Sequence, residues 1–453
     1  MGKLFGTDGI RGIVGDTLTF ALARLVGRAL VDSLPKEDGK RPSIIIGMDT
    51  RLSSYNLADS LLEGVTEAGG NVTHIEVCST PAVAYLVVKH GFDAGVMISA
   101  SHNPAEYNGI KIFGKNGFKL SDEIEEKIES YILDDADFTR ADVRGKLTMG
   151  GDDTDRYIGE YIDYLVDSAS VRLDGMRVGI DCANGSASDM AERIFTRLGA
   201  ECYMLADRPD GVNINLNCGS THLDGLRQLV LREGLDVGIA FDGDADRCLA
   251  IDGDGREIDG DYILAILAEK FKREGRLHGN TLVGTVMTNL GLIRFCEERD
   301  IGFLATKVGD RYVLEAINEG GLNLGGEQSG HIIIREKSTT GDGQLTAIAL
   351  LCCIKESGKS LSTLADVMKK FPQFMINVHA DAEEKAKFKS DELIGAMIKD
   401  AEAEMGSHGR ILIRPSGTEP LIRVMTEGDD PTLAENICKG LAKRIRARLD
   451  ELK

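Results

Sequence analysis

Short apolar runs that alternate with amphipathic stretches are the feature that most restricts how this chain can fold. Runs at 43–48 and 95–99 have the composition of buried strands, and the stretch at 57–68 between them has the apolar spacing of a helix. The same alternation returns at 177–181, 236–241 and 281–286. Because strands that are buried on both faces need helices to cover them, the pattern predicts α/β layers with parallel or mixed sheets.

The length of 453 residues exceeds what one hydrophobic core usually supports, so three or four domains are expected. Charged, turn-rich stretches at 140–155 and 252–257 and a break near Phe371 suggest the boundaries. The last segment has two apolar strands and then a long charged helix from about Pro431, which indicates a small α+β domain. The predicted domains are 1–155, 156–254, 255–370 and 371–453.

The composition argues against several classes of function. The formal net charge is −20 and Trp is absent, which disfavours binding to nucleic acids or to anionic membranes. The nine cysteines are odd in number and form no C-x-x-C pair, so we expect free thiols in a reducing compartment. The N-terminus has no apolar signal region, and the apolar stretch at 347–354 is far shorter than the roughly 20 residues that span a bilayer. These features predict a cytoplasmic protein.

A serine-containing segment at 97–104, Met-Ile-Ser-Ala-Ser-His-Asn-Pro, follows one of the predicted strands. Ser99, Ser101 and His102 therefore lie at the carboxyl end of a strand, where open α/β sheets bind their ligands. A hydroxyl in that position can act as a nucleophile or carry a phosphoryl group if a cation neutralises the charge. The alternative is that Ser101 only caps the following turn.

Three aspartates at alternate positions, Asp242, Asp244 and Asp246, follow another predicted strand. Their carboxylates can converge on one hard divalent cation if the backbone turns there, although a solvated acidic turn would have the same sequence. An EF-hand loop is excluded because its sixth and twelfth positions would be Arg247 and Gly253 in place of Gly and Glu. Among hard cations Mg²⁺ is favoured, since it commonly acts beside phosphates.

A glycine-rich segment at 324–331, Leu-Gly-Gly-Glu-Gln-Ser-Gly-His, could contact a ligand through its backbone. Glu327 and Ser329 can accept and donate hydrogen bonds to sugar hydroxyls, and His331 can titrate or bind phosphate near neutral pH. A simple turn between two strands is the alternative interpretation.

The C-terminal segment contains a candidate phosphate cradle. Arg414 and Arg423 bracket a turn formed by Ser416, Gly417 and Thr418, whose hydroxyls and backbone N–H groups can bind an anion. The alternative is a structural turn beside two exposed arginines. An acidic chain that binds a phosphate needs a local cationic pocket of this kind.

Two further cations complete the set of candidates. Arg11 lies among glycines in the segment 5–12, and Lys111 follows the serine segment, where it could act as a base or as a phosphate partner. An exposed surface lysine is the alternative for Lys111. A hydroxyl, a metal cluster, a hydroxyl-binding loop and a phosphate cradle thus fall in four different segments, as expected for a ligand held in a cleft between domains.

Taken in order, these motifs resemble those of the α-D-phosphohexomutase family, and the resemblance extends over essentially the whole chain. The matching segments are 5–12, 99–104, 242–247, 325–331 and 414–420. The resemblance implies four domains around a central cleft, three of them related α/β domains and the last an α+β domain of TATA-binding-protein-like shape. Gln328 in the Glu-Gln-Ser-Gly-His form of the fourth motif favours the subgroup that acts on amino-sugar phosphates.

The resemblance also implies a role for each candidate residue. Ser101 would be the phosphoserine, and Mg²⁺ would be held by a phosphoserine oxygen with the three aspartates, Asp242, Asp244 and Asp246. Glu327 and Ser329 would bind the sugar hydroxyls, and Arg414, Ser416, Gly417, Thr418 and Arg423 the phosphate that is not transferred. Lys111, Arg247 and His331 match family positions near the reacting oxygens and would be catalytic together with Ser101, and Arg11 would bind the substrate.

The implied reaction interconverts glucosamine 6-phosphate and glucosamine 1-phosphate through a 1,6-bisphosphate intermediate, feeding UDP-N-acetylglucosamine synthesis. Glucosamine 1,6-bisphosphate would be both intermediate and activator, and a bisphosphate sugar or a kinase would first have to phosphorylate Ser101. A homodimer is compatible with the resemblance. The alternatives are a phosphomannomutase/phosphoglucomutase of the same family and a sugar-phosphate binding protein without catalysis. One departure is Ala245, where many relatives have Gly; its methyl group is tolerated unless the position requires a positive φ angle.

Overall fold

A computed structural model describes residues 4–6, 8–35, 40–134, 141–416 and 420–452 of the protein. The chain divides into two compact units, of which the first comprises 1–287 and 301–367 and the second comprises 288–300 and 368–453. All nine cysteines fall in the described ranges and are free thiols, as the sequence predicts. Within those ranges, no helix is long and apolar enough to cross a bilayer.

The N-terminal part of the first unit forms a mixed sheet with the strand order β1-β5-β4-β2-β3-β6. Its elements are β1 (Ile10–Ile13), α1 (Phe20–Ser33), β2 (Ser43–Met48), α2 (Leu52–Glu67), β3 (Asn71–Val77), α3 (Thr80–His90), β4 (Ala94–Ile98), β5 (Tyr107–Gly114), α4 (Asp122–Leu133) and β6 (Leu147–Met149). Strands β2, β3, β4 and β6 run parallel, whereas β5 pairs antiparallel with both β4 and β1. The strands predicted at 43–48 and 95–99 are confirmed as β2 and β4.

The sequence around helix α3 fixes the position of Thr80 at the start of the helix. The Ser79 hydroxyl accepts a hydrogen bond from the Ala82 backbone N–H at 3.3 Å, and Pro81 stands in the first turn, where its missing N–H costs nothing. The helix ends at His90 and is capped by Gly91, which has a φ of +68° and closes the last turn in the left-handed conformation. These end signals make Thr80 the first residue of the helix.

A second mixed sheet follows, with the order β11-β10-β9-β7-β8. Its elements are α5 (Asp152–Asp167), β7 (Arg177–Asp181), α6 (Met190–Arg197), β8 (Glu201–Leu205), α7 (Asp224–Glu233), β9 (Val237–Phe241), β10 (Cys248–Asp252) and β11 (Glu257–Ile258). Strands β7, β8 and β9 are parallel, and β10 returns antiparallel beside β9. The two predicted strands of this region, at 177–181 and 236–241, are confirmed as β7 and β9.

The third sheet has the order β13-β12-β14-β15. Its part of the chain contains α8 (Gly260–Arg273), β12 (Thr281–Thr285), α9 (Leu290–Glu298), β13 (Gly302–Thr306), α10 (Asp310–Glu319), β14 (Leu324–Gly326), β15 (Ile332–Ile334), α11 (Gly343–Ser357) and α12 (Leu361–Ala365). Strand β12 is parallel to β13 and β14, and β15 turns back antiparallel to β14. Helix α9 is assigned to the second unit.

The second unit is an α+β structure, as the sequence predicts for its C-terminal segment. Its remaining elements are β16 (Gln373–His379), α13 (Ala382–Ser390), α14 (Glu392–Met405), β17 (Gly409–Pro415), β18 (Leu421–Gly428) and α15 (Pro431–Glu451). The sheet order is β16-β18-β17 with antiparallel pairing throughout. Fully buried Glu427 of β18 accepts hydrogen bonds from the Asn289 side chain (2.9 Å) and from the Leu290 backbone (3.2 Å), which joins the start of α9 to this sheet.

Candidate active site

The loop between β4 and β5 presents Ser101 to the second sheet. Ser101 has a φ of +54°, an uncommon backbone conformation for a residue with a side chain, and is only 1% exposed. Its hydroxyl donates a hydrogen bond to Asp242 Oδ2 over 2.5 Å. The hydroxyl therefore faces a carboxylate of another sheet, which differs from the turn-capping role considered as the alternative.

A buried ion pair between Arg51 and Asp49, both fully inaccessible to solvent, supports this loop. The Arg51 guanidinium donates to the backbone carbonyls of Ser101 (3.2 Å) and Asn103 (2.6 Å). The Ser99 hydroxyl donates to Asp49 at 2.6 Å and accepts from the Ser101 N–H at 2.9 Å. The loop is thus fixed by hydrogen bonds at several backbone positions.

Asp49 and Arg51 were not among the site residues predicted from the sequence. A signal was present, because both follow the predicted strand at 43–48, and the carboxyl end of that strand adjoins the end that carries Ser101. Asn215 was also missed, and its side chain donates to the Ser101 carbonyl at 2.9 Å. Its contact joins residues 114 positions apart, so no local pattern could have indicated it.

Asp242, Asp244 and Asp246, called the Asp cluster below, lie in the tight loop that joins antiparallel β9 and β10. The turn brings one carboxylate oxygen from each residue within 4.8 Å of the others. All three side chains are buried, the most accessible being Asp246 at 4%. The structure therefore gathers the three aspartates, as the sequence predicts, but in a buried site and not in a solvated turn.

The electrostatics of the Asp cluster fit a bound cation. Burial, followed by the charges of Asp246 and Asp244, raises the pKa of Asp242 to about 8. Among the residues that the structure describes, no hydrogen-bond donor reaches the buried Asp244 Oδ1. Buried carboxylate oxygens that lack a donor are suitable ligands for a hard divalent cation, so the cluster could hold one.

Lys111 supplies positive charge directly to the Asp cluster. It is 1% exposed, and its Nζ lies 2.7 Å from Asp244 and 3.0 Å from Asp246, with Asp8 at 3.2 Å. Burial opposes the charged form, but the three carboxylates outweigh it and raise the pKa of Lys111 well above its usual value. Thr80 donates at 2.5 Å to the same oxygen of Asp244 that Lys111 contacts, so both described partners of that carboxylate lie on one oxygen.

Arg247 and His331 also lie close to the Asp cluster. Arg247 Nε lies 3.9 Å from both Asp242 and Asp246. His331 Nδ1 lies 3.5 Å from Asp246, and its Nε2 accepts a hydrogen bond from the Gly341 backbone N–H at 3.1 Å. Cationic or proton-bearing groups from three segments thus converge on one group of carboxylates.

His102 and Arg11 lie on the Ser101 side of the site. His102 Nδ1 is 3.3 Å from the Ser101 hydroxyl. Burial, with the charges of Arg247 and Arg11, lowers the pKa of His102 to about 4, so its imidazole is neutral at neutral pH. Arg11 forms an ion pair with Asp8.

The glycine-rich loop between β14 and β15 carries Glu327 and Ser329, both half-buried. The Glu327 carboxylate accepts a hydrogen bond from the Gly309 backbone N–H at 3.1 Å. The Gly330 carbonyl accepts one from the Cys248 N–H at 3.0 Å, immediately after the Asp cluster loop. The loop therefore connects two strands, as the alternative supposed, and also adjoins the Asp cluster.

In the second unit, Arg414 of β17 and Arg423 of β18 are directly opposite each other in the antiparallel ladder. Like charges in such a pair repel and would be relieved by an anion. Burial, together with the charge of Arg423, lowers the pKa of Arg414 below its usual value. The pair has the charge and spacing expected of an anion site.

Ser416 follows Arg414 at the end of β17. Its backbone N–H donates to the Leu421 carbonyl at 2.8 Å, and its carbonyl accepts from Lys385 Nζ at 2.8 Å. Gly417 and Thr418, the other members of the predicted cradle, lie outside the described residues.

The predicted residues are thus distributed between the two units. The first unit brings together Ser101, Lys111, Asp242, Asp244, Asp246, Arg247 and His331, with Arg11, Glu327 and Ser329 in adjoining segments. The second unit contains Arg414, Ser416 and Arg423.

Ala245 has a positive φ angle, the condition under which its methyl group causes backbone strain. Its φ is +56°, and its side chain is fully buried. An L-residue in this region pays a steric cost that Gly avoids, so the loop that shapes the Asp cluster is held in a mildly strained conformation.

Models of the four domains of one protein family match the chain in order. They are described as phosphoglucomutase/phosphomannomutase alpha/beta/alpha domains I, II and III and the C-terminal domain. The matched residues are 2–139 for domain I, 155–255 for domain II, 259–371 for domain III and 375–444 for the C-terminal domain.

Curated relatives match along the whole chain. A phosphoglucosamine mutase of Caldicellulosiruptor saccharolyticus is 49% identical over 453 residues, covering 99% of this chain and 100% of that protein. One of Brevibacillus brevis is 47% identical, again over 99% of this chain and 100% of that protein. A solved structure of a phosphoglucomutase/phosphomannomutase family protein from Burkholderia thailandensis has the same fold, with a TM-score of 0.81 and 23% identity over 99% of this chain and 98% of that chain.

The strain at Ala245 gives a testable prediction. Ala245→Val should lower the free energy of unfolding by about 2–4 kcal/mol, because a β-branched side chain combines an unfavourable positive φ with overpacking of a buried position. Ala245→Gly is the matched control and should stay within about 1 kcal/mol of the native chain, since the relief of strain offsets the added backbone freedom. Urea unfolding measures both, and equal stabilities for the two variants would show that the positive φ imposes no constraint.

Proposed function

The chain belongs to the phosphoglucomutase/phosphomannomutase family, and from that premise we propose that it interconverts glucosamine 6-phosphate and glucosamine 1-phosphate. The observation that carries the proposal is the 2.5 Å hydrogen bond between the Ser101 hydroxyl and Asp242 of the Asp cluster. This bond supports the proposal because a serine hydroxyl is a suitable phosphoryl carrier and the adjoining carboxylates are suitable ligands for a divalent cation. The names of the curated relatives support the amino-sugar substrate.

In the proposed reaction, phosphorylated Ser101 gives its phosphoryl group to O1 of glucosamine 6-phosphate. The bond from Ser101 Oγ to phosphorus breaks as a bond from sugar O1 forms; O1 loses its proton and the released Ser101 oxygen gains one, which yields glucosamine 1,6-bisphosphate. The bisphosphate then turns over, and Ser101 takes the phosphoryl group from O6 to leave glucosamine 1-phosphate. The enzyme is therefore active only after Ser101 has been phosphorylated, by a bisphosphate sugar or by a kinase.

The surrounding residues of this chain would position and neutralise the transferring group. Mg²⁺ held by the Asp cluster would supply positive charge against the phosphoryl oxygens, which is much of what phosphoryl transfer requires. Lys111, Arg247 and His331 surround the same carboxylates and are proposed to stabilise charge near the reacting oxygens. Glu327 and Ser329 are proposed to bind the sugar hydroxyls, and Arg11 to contact the substrate.

We propose that the second unit binds the phosphate that is not transferred. Arg414 and Arg423 would bind it as a pair of guanidinium groups, with Ser416, Gly417 and Thr418 adding hydroxyl and backbone donors.

The proposed domain divisions remain 1–155, 156–254, 255–370 and 371–453, so that each domain contributes one functional segment.

A comparison of substrates tests the function directly. With Mg²⁺ and a priming bisphosphate sugar, kcat/KM for glucosamine 6-phosphate should exceed the values for mannose 6-phosphate and glucose 6-phosphate by at least about tenfold, since a site built to bind an amino group leaves polar groups unpaired with the other sugars. Faster turnover of mannose or glucose 6-phosphate would reassign the chain to phosphomannomutase/phosphoglucomutase activity. Absence of turnover with all three would indicate a binding protein.

The phosphoserine assignment predicts a covalent change. Incubation with glucosamine 1,6-bisphosphate should add the mass of one phosphoryl group to the native protein and none to Ser101→Ala, whose turnover should fall by more than about 1,000-fold because it lacks the carrier hydroxyl. Ser99→Ala is the matched control and should still acquire the group. Intact-mass measurement with peptide mapping reads both results, and a phosphate located on Ser99 would correct the assignment.

The phosphate cradle predicts a binding defect with little change in chemistry. Arg414→Ala should raise KM for the sugar phosphate about 10- to 100-fold, the loss expected for a charge-assisted hydrogen bond, while Mg²⁺ affinity stays constant. Lys439→Ala removes one positive charge from an exposed position of α15 and should leave KM unchanged. Steady-state kinetics and metal titration separate the effects, and a native KM in Arg414→Ala would remove the cradle assignment.

A further inference from the structure

Lys119 is a largely buried lysine that no sequence motif singled out. It lies just after β5, in an isolated bridge with Phe113, and its side chain is 11% exposed. Its Nζ pairs with Asp8 and, at 2.5 Å, with Asp310. Burial opposes the charge, but Asp310 and Asp8 outweigh it and raise the pKa of Lys119, so the ammonium is charged at neutral pH.

Asp8 links Lys119 to the phosphoryl-transfer side of the site. One carboxylate oxygen of Asp8 pairs with Lys119 and the other lies 3.2 Å from Lys111 Nζ. Lys111 in turn contacts Asp244 and Asp246 of the Asp cluster. Lys119 is therefore separated from the Asp cluster by one carboxylate and one ammonium.

Asp310 links the same lysine to the sugar-binding side. Asp310 is the first residue of α10, and the N–H of the preceding Gly309 donates to the Glu327 carboxylate at 3.1 Å. The Asp310 carboxylate also lies 3.5 Å from His331 Nε2. A shift of Asp310 would thus move the backbone donor that orients Glu327.

The burial of Lys119 requires that the carboxylates of Asp8 and Asp310 balance its charge. Lys119 and Asp310 form part of the wall of a cavity of about 430 Å³, whose lining combines apolar side chains such as Leu120 and Leu314 with charged ones such as Arg311 and Glu315. Because the Lys119 side chain is only 11% exposed, little water reaches its charge, which has to be balanced by Asp8 and Asp310.

We propose that Lys119 is a positioning residue that holds the phosphoryl-transfer centre and the sugar-binding loop in register by pairing with Asp8 and Asp310 at the same time. The inference rests on the proposed function, because it assumes that Ser101 and Glu327 act on one substrate. Phosphoryl transfer depends mainly on placement, and a displacement of about 1 Å can cost on the order of 100-fold in rate. Lys119 acts through its two carboxylates and is not a catalytic residue.

The test compares Lys119→Met with a matched control. Lys119→Met keeps an unbranched side chain of nearly the same length but removes the ammonium and its charge. It should lower kcat/KM for glucosamine 6-phosphate at least about tenfold, with KM raised and kcat lowered. Its divalent-cation affinity, measured by calorimetry, should remain native, and Lys119→Arg should restore most of the lost activity. The control Lys270→Met removes another lysine that is 9% exposed and ion-paired, to Glu356, and should retain native kinetics.

Several results would overturn the proposal. Native kcat/KM in Lys119→Met, an equal loss in Lys270→Met, or a parallel loss of cation binding would show that the pair does not position the site. If Lys119→Met does not fold, Asp310→Asn decides, since it should raise KM and a native KM would contradict the linkage to Glu327. Native protein without turnover on any hexose phosphate would instead reject the proposed function, so the two failures are distinguishable.

Discussion

The confinement of three carboxylates within 4.8 Å, all of them buried, is the constraint on which the rest of the site depends. Carboxylates that are so close and so poorly solvated cannot all ionise without nearby positive charge, and the raised pKa of Asp242 expresses that conflict. A chain with a net charge of −20 provides no such charge on average. It is provided locally by Lys111, Arg247 and the groups that support them.

The three sheets of the first unit present their candidate site loops with the same local topology. In each sheet a strand that belongs to the parallel part is followed by a loop and an antiparallel neighbour: β4 and β5, β9 and β10, and β14 and β15. The three loops carry Ser101, the Asp cluster and Glu327 in turn. The common arrangement agrees with three related α/β domains, although no repeat is evident in the sequence.

Features that depend on neighbouring residues were predictable from the sequence, whereas those that depend on distant partners were not. The strands at 43–48, 177–181 and 281–286 are local patterns of apolar residues, and the structure confirms them. The burial of Lys111 was not predictable from the sequence. The carboxylates that pair with it, those of Asp244 and Asp246, lie more than 100 positions away along the chain in another loop. Lys119 is a similar case, since its partners Asp8 and Asp310 lie 111 and 191 positions away.

Contacts between Lys111 and the Asp cluster would compete with any divalent cation that the cluster binds. The ammonium already engages one oxygen each of Asp244 and Asp246, so an incoming cation cannot gain the full attraction of three free carboxylates. Part of the binding free energy of a cation would be offset by the loss of these ion pairs, which would favour reversible exchange over permanent retention. Occupancy by a cation would then follow the concentration of free divalent cation around the protein, and the lysine that pairs with the carboxylates would set the concentration at which a cation binds.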